Sequence, residues 1–282
     1  MTKNTKVRYE YQLEDLIVKE IGAMPRGGMK IMNTCVRRAA MRAMISGAFV
    51  SSMAAMSVAG DIAFNIVATN QNGTGTYQSF WDGEPGSWSL DEPIQLRDAT
   101  TNLWIATLET ASVDVGAGSP ELGPPNPNQI NLNFAVQAGA TDTTFTIDST
   151  QLFFGPFSNA QGRATAAFTV TDLNSNGAML TGQGPNSGSY MAQYNGFVPT
   201  GSTFAEGINS IIAPSGSNFG TLNMPAGPGF VGIAGSVGDM SSRVHFTLSA
   251  RDFASGTSNY EIIPEPATLG LLLMGFGLIR RR

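Results

Sequence analysis

Apolar and polar residues alternate in Ile130-Asn131-Leu132-Asn133-Phe134-Ala135-Val136-Gln137, and this stretch decides the expected fold. Successive side chains of a β-strand point to opposite faces, so most of the apolar residues share one face and the amides share the other. The same period of two occurs in residues 61–69 and 243–249. Such runs, separated by clusters of Gly, Pro and Asn, indicate an antiparallel sheet with one solvated face.

Shorter runs predict further strands at residues 103–110, 143–148, 164–171, 190–194, 207–212 and 230–234. No segment between residues 60 and 259 shows the period of a long amphipathic helix. We therefore expect an all-β domain over residues 60–259, a single antiparallel β-sandwich, with a jelly-roll among the arrangements open to it. Two smaller sandwiches are the alternative, but the Pro-rich residues 118–128 lie too near one end to divide the region, and we expect a long loop there.

The region from residue 60 to residue 263 is strongly acidic. It contains sixteen Asp and Glu against four Arg and no Lys, a net charge of −12, because the other basic residues lie near the ends of the chain. Such a surface repels phosphate backbones and anionic lipid. We therefore exclude nucleic acid as a partner, and the charge favours the solubility of an exported protein.

The first 59 residues divide into two parts. Residues 1–28 are charged and mixed, whereas residues 29–59 run from basic residues through an apolar stretch to Ser57-Val58-Ala59. This is the order of a secretory signal peptide, and we expect signal peptidase to cleave after Ala59. A start codon assigned too early explains residues 1–28, and a long extension of the signal is the alternative. The only cysteine, Cys35, lies in the signal, so the exported chain is expected to form no disulfide.

The end of the chain combines Pro264-Glu265-Pro266, an uncharged apolar run over residues 267–279, and Arg280-Arg281-Arg282. As a helix the run would reach roughly 20 Å, against about 30 Å for the hydrocarbon core of a bilayer. Tilting and snorkelling of the arginines close that gap at modest cost. We expect a short C-terminal transmembrane helix with its arginines on the cytoplasmic side. With the signal helix, it would flank the sandwich.

This order of Pro-Glu-Pro, apolar helix and arginine cluster resembles a PEP-CTERM protein-sorting signal, and the resemblance is confined to about the last twenty residues. It implies that residues 260–282 form a transient inner-membrane anchor, processed by an exosortase in a Gram-negative bacterium that makes exopolysaccharide. The sorting motif would comprise Pro264, Glu265, Pro266 and the three terminal arginines. The processed protein is then expected at the cell surface or in the extracellular matrix.

Trp81 and Trp88 flank Asp82 and Glu84 in a turn-rich segment. Indole rings beside carboxylates commonly hold a sugar ring, so both tryptophans are candidates for carbohydrate contact. We expect one or both indoles to pack in the core or in a loop, as large aromatic side chains commonly do, and carbohydrate contact is the alternative. Asp82 and Glu84 could be imagined as a glycosidase pair, but two residues of separation fix no useful distance between their carboxyl groups.

Residues 172–177 place oxygen-bearing side chains at Asp172, Asn174 and Asn176, as in the first half of a calcium-binding loop. Position twelve of such a loop would be Gln183 rather than Glu, which argues against an EF-hand. We therefore expect a β-hairpin closed by an Asn-Gly turn, and a calcium site at these three residues is the alternative. No cofactor is expected, and structural calcium is left open.

His245 is the only histidine, and its alternation with Val244 and Phe246 places it on a solvated face. A catalytic triad would have to be built on it, since the acidic region lacks Cys and Lys. No Gly-x-Ser-x-Gly elbow occurs. Residues 227–232 match the spacing of a dinucleotide fingerprint but lie in an all-β region without a following helix. We therefore predict no catalytic residue.

Together these features predict a non-enzymatic, exported surface or matrix protein that associates with exopolysaccharide in biofilms. One alternative is a secreted carbohydrate-active enzyme or sugar-binding module on a β-sandwich. Another is a purely structural module that binds no sugar.

Overall fold

The computed structural model describes residues 61–81, 86–116, 127–197 and 200–265. These residues form strands and connecting turns, and none of them is helical. Consequently no helix long and apolar enough to span a bilayer is found among them. The predictions for residues 1–60, including the signal peptide, and for the tail helix over residues 267–279 lie outside the described ranges.

Seventeen strands are formed within these ranges, as follows: β1 (Ile62–Asn70), β2 (Gly73–Phe80), β3 (Ser87–Ser89), β4 (Ile94–Arg97), β5 (Trp104–Gly116), β6 (Asn128–Ala138), β7 (Thr143–Ser149), β8 (Leu152–Ser158), β9 (Gln161–Thr171), β10 (Ala178–Gly182), β11 (Tyr190–Tyr194), β12 (Ser202–Gly207), β13 (Ser210–Ala213), β14 (Ser217–Met224), β15 (Val231–Gly232), β16 (Ser236–Leu248) and β17 (Phe253–Ile263).

Sheet A has the main order β12-β11-β16-β7-β1-β2, and every pair in it is antiparallel. The long strand β16 organises it. On one side β16 pairs with β8 along residues 236–240 and with β7 along residues 243–248. On the other side it pairs with β11 and then with β10, which in turn pairs with β13.

Sheet B has the order β14-β9-β17-β6-β5-β3, with β15 beside β9 and β4 beside β5, and it is also antiparallel throughout. Its centre is β17, which pairs with β9 on one side and β6 on the other. Because β17 continues to Ile263, the sheet extends past the predicted domain boundary at residue 259.

The two sheets pack face to face through aromatic side chains at alternate strand positions. The rings of Phe134 and Phe168 in sheet B meet edge to face at 5.3 Å. Phe134 also contacts Phe246 of sheet A at 5.9 Å, and Phe168 contacts Tyr190 of sheet A at 6.4 Å. All four rings are buried within one cluster that draws on both sheets. The described chain is therefore all-β with two antiparallel sheets, as the alternation predicts.

Gly256 provides the space that Phe134 and Phe168 occupy. It lies opposite Phe134 of β6 and opposite Phe168 of β9, in the middle of β17. A Cβ atom at this position would stand 2.4 Å from a ring atom of Phe168 and 2.6 Å from one of Phe134. Both rings therefore cover the backbone of β17 only because residue 256 has no side chain.

The strands differ from the predicted ones in places. The predicted strand at residues 207–212 is divided between β12 and β13, because Ile208 adopts a positive φ of 62° that interrupts extended backbone. The predicted strand at residues 230–234 is reduced to β15. The strands absent from the prediction are β2, β3, β4, β8, β10, β14 and the central strand β17.

The carboxylate of Asp98 fastens the turn between β4 and β5 to β2. One oxygen accepts hydrogen bonds from the backbone N–H groups of Thr100 and Thr101 and from the Thr101 hydroxyl, at 2.8–3.0 Å. The other oxygen accepts the N–H of Thr74 at 3.0 Å. The bond from Thr74 is the largest of the effects that lower the pKa of Asp98 to about 2.

We expect Asp98→Asn to lower the melting temperature at neutral pH, because an amide accepts these bonds less strongly than a carboxylate. A carboxyl group whose pKa is depressed in the folded state stabilises the protein above its unfolded pKa of about 3.9, and this contribution fades as pH falls through the folded value. The difference between wild type and variant should therefore narrow between pH 4 and pH 2. Thermal melts between pH 4 and pH 2 measure this difference in melting temperature, and Asp91→Asn, at an exposed position, is the control. A difference that does not change with pH would contradict the stabilising role of the Asp98 carboxylate.

Candidate functional site

Trp81 and Trp88 occupy different environments. Trp81 is only 8 % exposed, and its indole N–H donates to the Thr150 hydroxyl at 3.3 Å within the core. Trp88 is half-buried on the edge strand β3, where its ring stacks on Phe64 at 5.1 Å. Asp82 and Glu84 lie outside the described residues. Trp81 is thus a core side chain in this structure, and Trp88 retains the partial exposure that a sugar contact needs.

An open groove of about 460 Å³ lies beside Trp88 and is lined by Tyr77, Asp91 and Glu92 as well. The rings of Tyr77 and Trp88 are 6.4 Å apart. Because Phe64 covers one face of the Trp88 indole, only its remaining surface is available to a ligand. The groove therefore offers a narrow aromatic contact rather than the two-indole platform suggested by the sequence.

The predicted calcium loop is closed by its own backbone. Asp172 accepts N–H bonds from Asn174, Ser175 and Gly177 at 2.8–3.1 Å, and Asn174 in turn accepts from the N–H of Asn176. Desolvation acts to raise the pKa of Asp172, but the N–H bonds, led by that from Gly177, outweigh it and lower the pKa. A calcium ion would compete with these N–H groups for the same oxygens.

The prediction that residues 172–177 close a hairpin is wrong. The preceding strand β9 belongs to sheet B, and the following strand β10 belongs to sheet A. The segment is therefore a crossover between the sheets, and Gly177 with φ of 88° turns the chain from one sheet to the other. Structural calcium at Asp172, Asn174 and Asn176 stays a prediction.

His245 lies on the outer face of sheet A, on the side of β16 opposite the buried Val244 and Phe246. Burial is the main cause that lowers its pKa, nearby Arg243 adds to this effect, and Asp148 opposes it. Residues 227–232, with their fingerprint-like spacing, form the turn into β15, and no helix follows within the described residues.

The outer surface of sheet B carries a regular array of side chains that we call the amide face; eight of its ten members are amides or hydroxyls, and Asp114 and Ala167 are the other two. One row crosses strands β5, β6, β17, β9 and β14, and a second row lies two residues away along each strand. The first row is Asp114, Asn131, Asn259, Thr165 and Asn223, and the second is Ser112, Asn133, Thr257, Ala167 and Thr221.

Hydrogen bonds between strands fix the orientation of the amides on this face. The side-chain N–H of Asn259 donates to the amide oxygen of Asn131 at 2.7 Å, and Gln129 donates to the same oxygen at 3.0 Å. Asn133 donates to the Ser112 hydroxyl at 3.0 Å. Since each asparagine has more donors and acceptors than these bonds use, the array retains hydrogen-bonding capacity toward a ligand.

A groove of about 460 Å³ runs over this face, and short side chains such as those of Ala167, Thr165 and Thr257 lie between its asparagines. Of the described residues that line it, Asp114 alone carries a charge. The groove therefore suits an uncharged ligand with many hydroxyl groups. Hydrolysis of a glycosidic bond ordinarily requires two carboxyl groups, which these lining residues do not supply.

Sequence reasoning did not identify the amide face, although a signal for it exists. The pattern Asn-x-Asn at residues 131–133 has counterparts in Thr-x-Asn at residues 221–223 and 257–259. Each pattern alone only marks the solvated side of a strand. The pairing register, which brings all three into the same two rows, depends on contacts between distant parts of the chain.

Pro264 and Glu265 of the predicted sorting motif follow β17 directly, and Glu265 is exposed. Pro lacks the N–H group that a further ladder bond would require, which ends the strand. Pro266 and Arg280, Arg281 and Arg282 lie outside the described residues.

No protein-family model matches the sequence, and no curated protein matches it either. Among solved structures, the chain is similar to the adhesin domain of Epf from Streptococcus pyogenes, with 10 % identity and a TM-score of 0.28, over 71 % of this chain and 58 % of that one. It is also similar to a structure of infectious bursal disease virus, Gx strain, with 11 % identity and a TM-score of 0.26, over 75 % of this chain and 59 % of the viral chain. The chain thus spans under two thirds of the length of both.

Proposed function

We propose that this chain is an exported, non-enzymatic protein of the cell surface or extracellular matrix that binds exopolysaccharide through the amide face. The observation that carries the proposal is the pair of polar rows across five strands of sheet B. Neighbouring strands lie about 4.7–4.9 Å apart, so the rows offer hydrogen-bonding groups at regular intervals. A polymer with repeated hydroxyl groups can use many of them at once.

The net negative charge of the protein determines which kind of polysaccharide it can bind. A net charge of −12 over residues 60–263 disfavours acidic polysaccharides and anionic membranes. Beside the groove, the positive charge of Arg163 is neutralised by Glu261 at 2.8 Å. The proposed ligand is therefore an uncharged polysaccharide.

The proposed route of export rests on the two ends of the chain. Residues 29–59 act as the signal peptide, and residues 260–282 act as the PEP-CTERM-like signal that an exosortase-type enzyme processes. In this proposal the apolar run over residues 267–279 anchors the precursor transiently in the inner membrane of a Gram-negative bacterium. Removal of the signal peptide and of the tail beyond β17 leaves the sandwich, with a jelly-roll-like path of the chain, as the functional part.

The test of polysaccharide binding replaces the central amide pair with Asn131→Ala and Asn259→Ala. Each lost hydrogen bond is worth roughly 0.5–1.5 kcal/mol, so the dissociation constant for a bound neutral polysaccharide should rise about tenfold. Affinity electrophoresis in gels containing dextran, mannan or laminarin measures the change, and melting temperatures report on folding.

The matched control is Thr144→Ala with Thr247→Ala, which removes a cross-strand polar pair at 2.8 Å from the outer face of sheet A. Equal retardation of the wild type and the amide variant would contradict binding at the amide face. Release of reducing sugar by the wild type would instead favour a carbohydrate-active enzyme.

A further inference from the structure

A second pocket, of about 320 Å³, lies on the outer face of sheet A, where β7 ends and β8 begins. Its apolar wall includes Phe153, which is 66 % exposed, together with Ile62 and Phe197. Because these apolar side chains are grouped on one wall rather than scattered singly, they mark a candidate binding surface. The volume lies at the lower end of the range for small-molecule sites, about 300–1,000 Å³.

Three polar side chains face the same pocket: Asp61, Asn65 and Gln151. None of the three has a side-chain hydrogen bond or ion pair with any other part of the protein that the structure describes. Their donors and acceptors are therefore available to a ligand, in contrast to the amides of sheet B, which partly bind one another.

The remaining wall of the pocket is held in place by an ion pair. Arg243 donates to both carboxylate oxygens of Asp148, at 2.5 and 3.1 Å, and its guanidinium lies 5.4 Å from the centroid of the Phe197 ring. This cation–π contact positions Phe197 over the sheet. Because Arg243 neutralises Asp148, Asp61 is the remaining charged group among the described lining residues.

We propose that this pocket binds a single sugar ring, with one face against Phe153 and its hydroxyl groups bonded to Asp61, Asn65 and Gln151. A purely apolar ligand would bury these three polar groups without partners, at a substantial cost in free energy. An anionic ligand would be repelled by the carboxylate of Asp61. A neutral sugar has an apolar face and a polar rim, and thereby matches both kinds of wall.

The location of the pocket, taken together with the proposed function on which this step rests, indicates that the protein can join two polysaccharide chains. The amide face is the outer surface of sheet B, and the pocket lies on the outer surface of sheet A, so the two sites face away from each other. One polymer segment cannot follow both surfaces at once. A protein with both sites therefore joins two polysaccharide chains, and its attachment to a gel gains from multivalency.

The pocket itself is tested with neutral hexasaccharides of glucose, mannose and galactose, titrated into the full protein by calorimetry. The test variants are made in a protein that also carries Asn131→Ala and Asn259→Ala, because these two changes weaken binding at the amide face. Phe153→Ala should raise the dissociation constant about tenfold, as expected for loss of an aromatic anchor. Ile212→Ala, an exposed residue of β13, is the control that should leave binding unchanged. Equal binding by the Phe153 and Ile212 variants, or no binding of any hexasaccharide, would overturn the assignment.

Bridging is tested by capture of fluorescent dextran, mannan or laminarin on beads coated with the same polysaccharide. Wild type should capture the labelled polymer, whereas Phe153→Ala should bind the beads through its amide face and capture at least about tenfold less. Undiminished capture by Phe153→Ala would overturn bridging and leave the proposed function intact. If wild type fails to bind the beads, the proposed function fails, and the hexasaccharide titration alone decides the pocket.

Discussion

Replacing Gly256 with valine is expected to lower the free energy of unfolding by about 3 kcal/mol, the upper end of the usual cost of overpacking a core. The added atoms would overlap with the rings of Phe134 and Phe168, which are buried, and protein cores are packed too densely to absorb such a volume without strain. For a domain of this size that loss corresponds to a fall of roughly 6–12 °C in melting temperature.

The matched control is Gly155→Val in β8, where a Cβ atom would meet nothing within 4 Å. A β-branched residue is well suited to a strand, so this change should alter stability by no more than about 0.5 kcal/mol. Thermal and urea unfolding of both variants, followed by tryptophan fluorescence, measures the difference. Equal losses of stability in the two variants would show that the ring contacts at Gly256 are unimportant.

Gly256 also shows why the central strand could not be predicted from sequence. The inward positions of β17 include Ala254, Gly256 and Ser258, which carry little of the apolar signal by which strands are identified. Their neighbours on β6 and β9 supply the large rings. The hydrophobic pattern of β17 is therefore distributed over two other strands, and only the pairing register reveals it. Strands with large alternating residues, such as β1, β6 and β16, could be predicted directly.

Long-range pairing also limited the prediction of the site. The alternation at residues 130–137 indicated that Asn131 and Asn133 are solvated, and the structure confirms that they face outward. The alternation could not indicate that Thr257 and Asn259 of β17 lie beside Asn131 and Asn133. Likewise, Asn176-Gly177 is a good local hairpin signal, but the membership of β9 and β10 in different sheets is decided by packing far from the turn.

Replacing Pro264, Glu265 and Pro266 with alanine is expected to abolish processing, so that nearly all of the protein remains as a membrane-held precursor. The reason is that the proposed enzyme identifies its substrate by this motif, whereas the apolar run and the arginines still anchor the chain. The folded part should tolerate the change, because β17 ends at Ile263 and Glu265 is exposed.

Immunoblots of membrane and extracellular fractions, with mass spectrometry of the carboxyl end, measure this outcome. The control replaces Arg280, Arg281 and Arg282 with lysine, which preserves the positive charges that orient the anchor and should leave anchoring in place. Release of a normally processed protein from the triple-alanine variant would contradict the sorting proposal.

Because β17 is central in sheet B and is the last of the described strands, the sheet cannot be completed until this strand is available. Asn259 bonds to Asn131, 128 residues earlier, and without β17 sheet B would fall into two separate halves with unpaired edges. Chain synthesis reaches this strand after every other strand described, immediately before the proposed sorting motif. Under the proposed route of export this order is useful, because a chain that still lacks its central strand remains unfolded enough to be translocated. The sandwich would then be completed only after nearly the whole polypeptide had crossed the membrane.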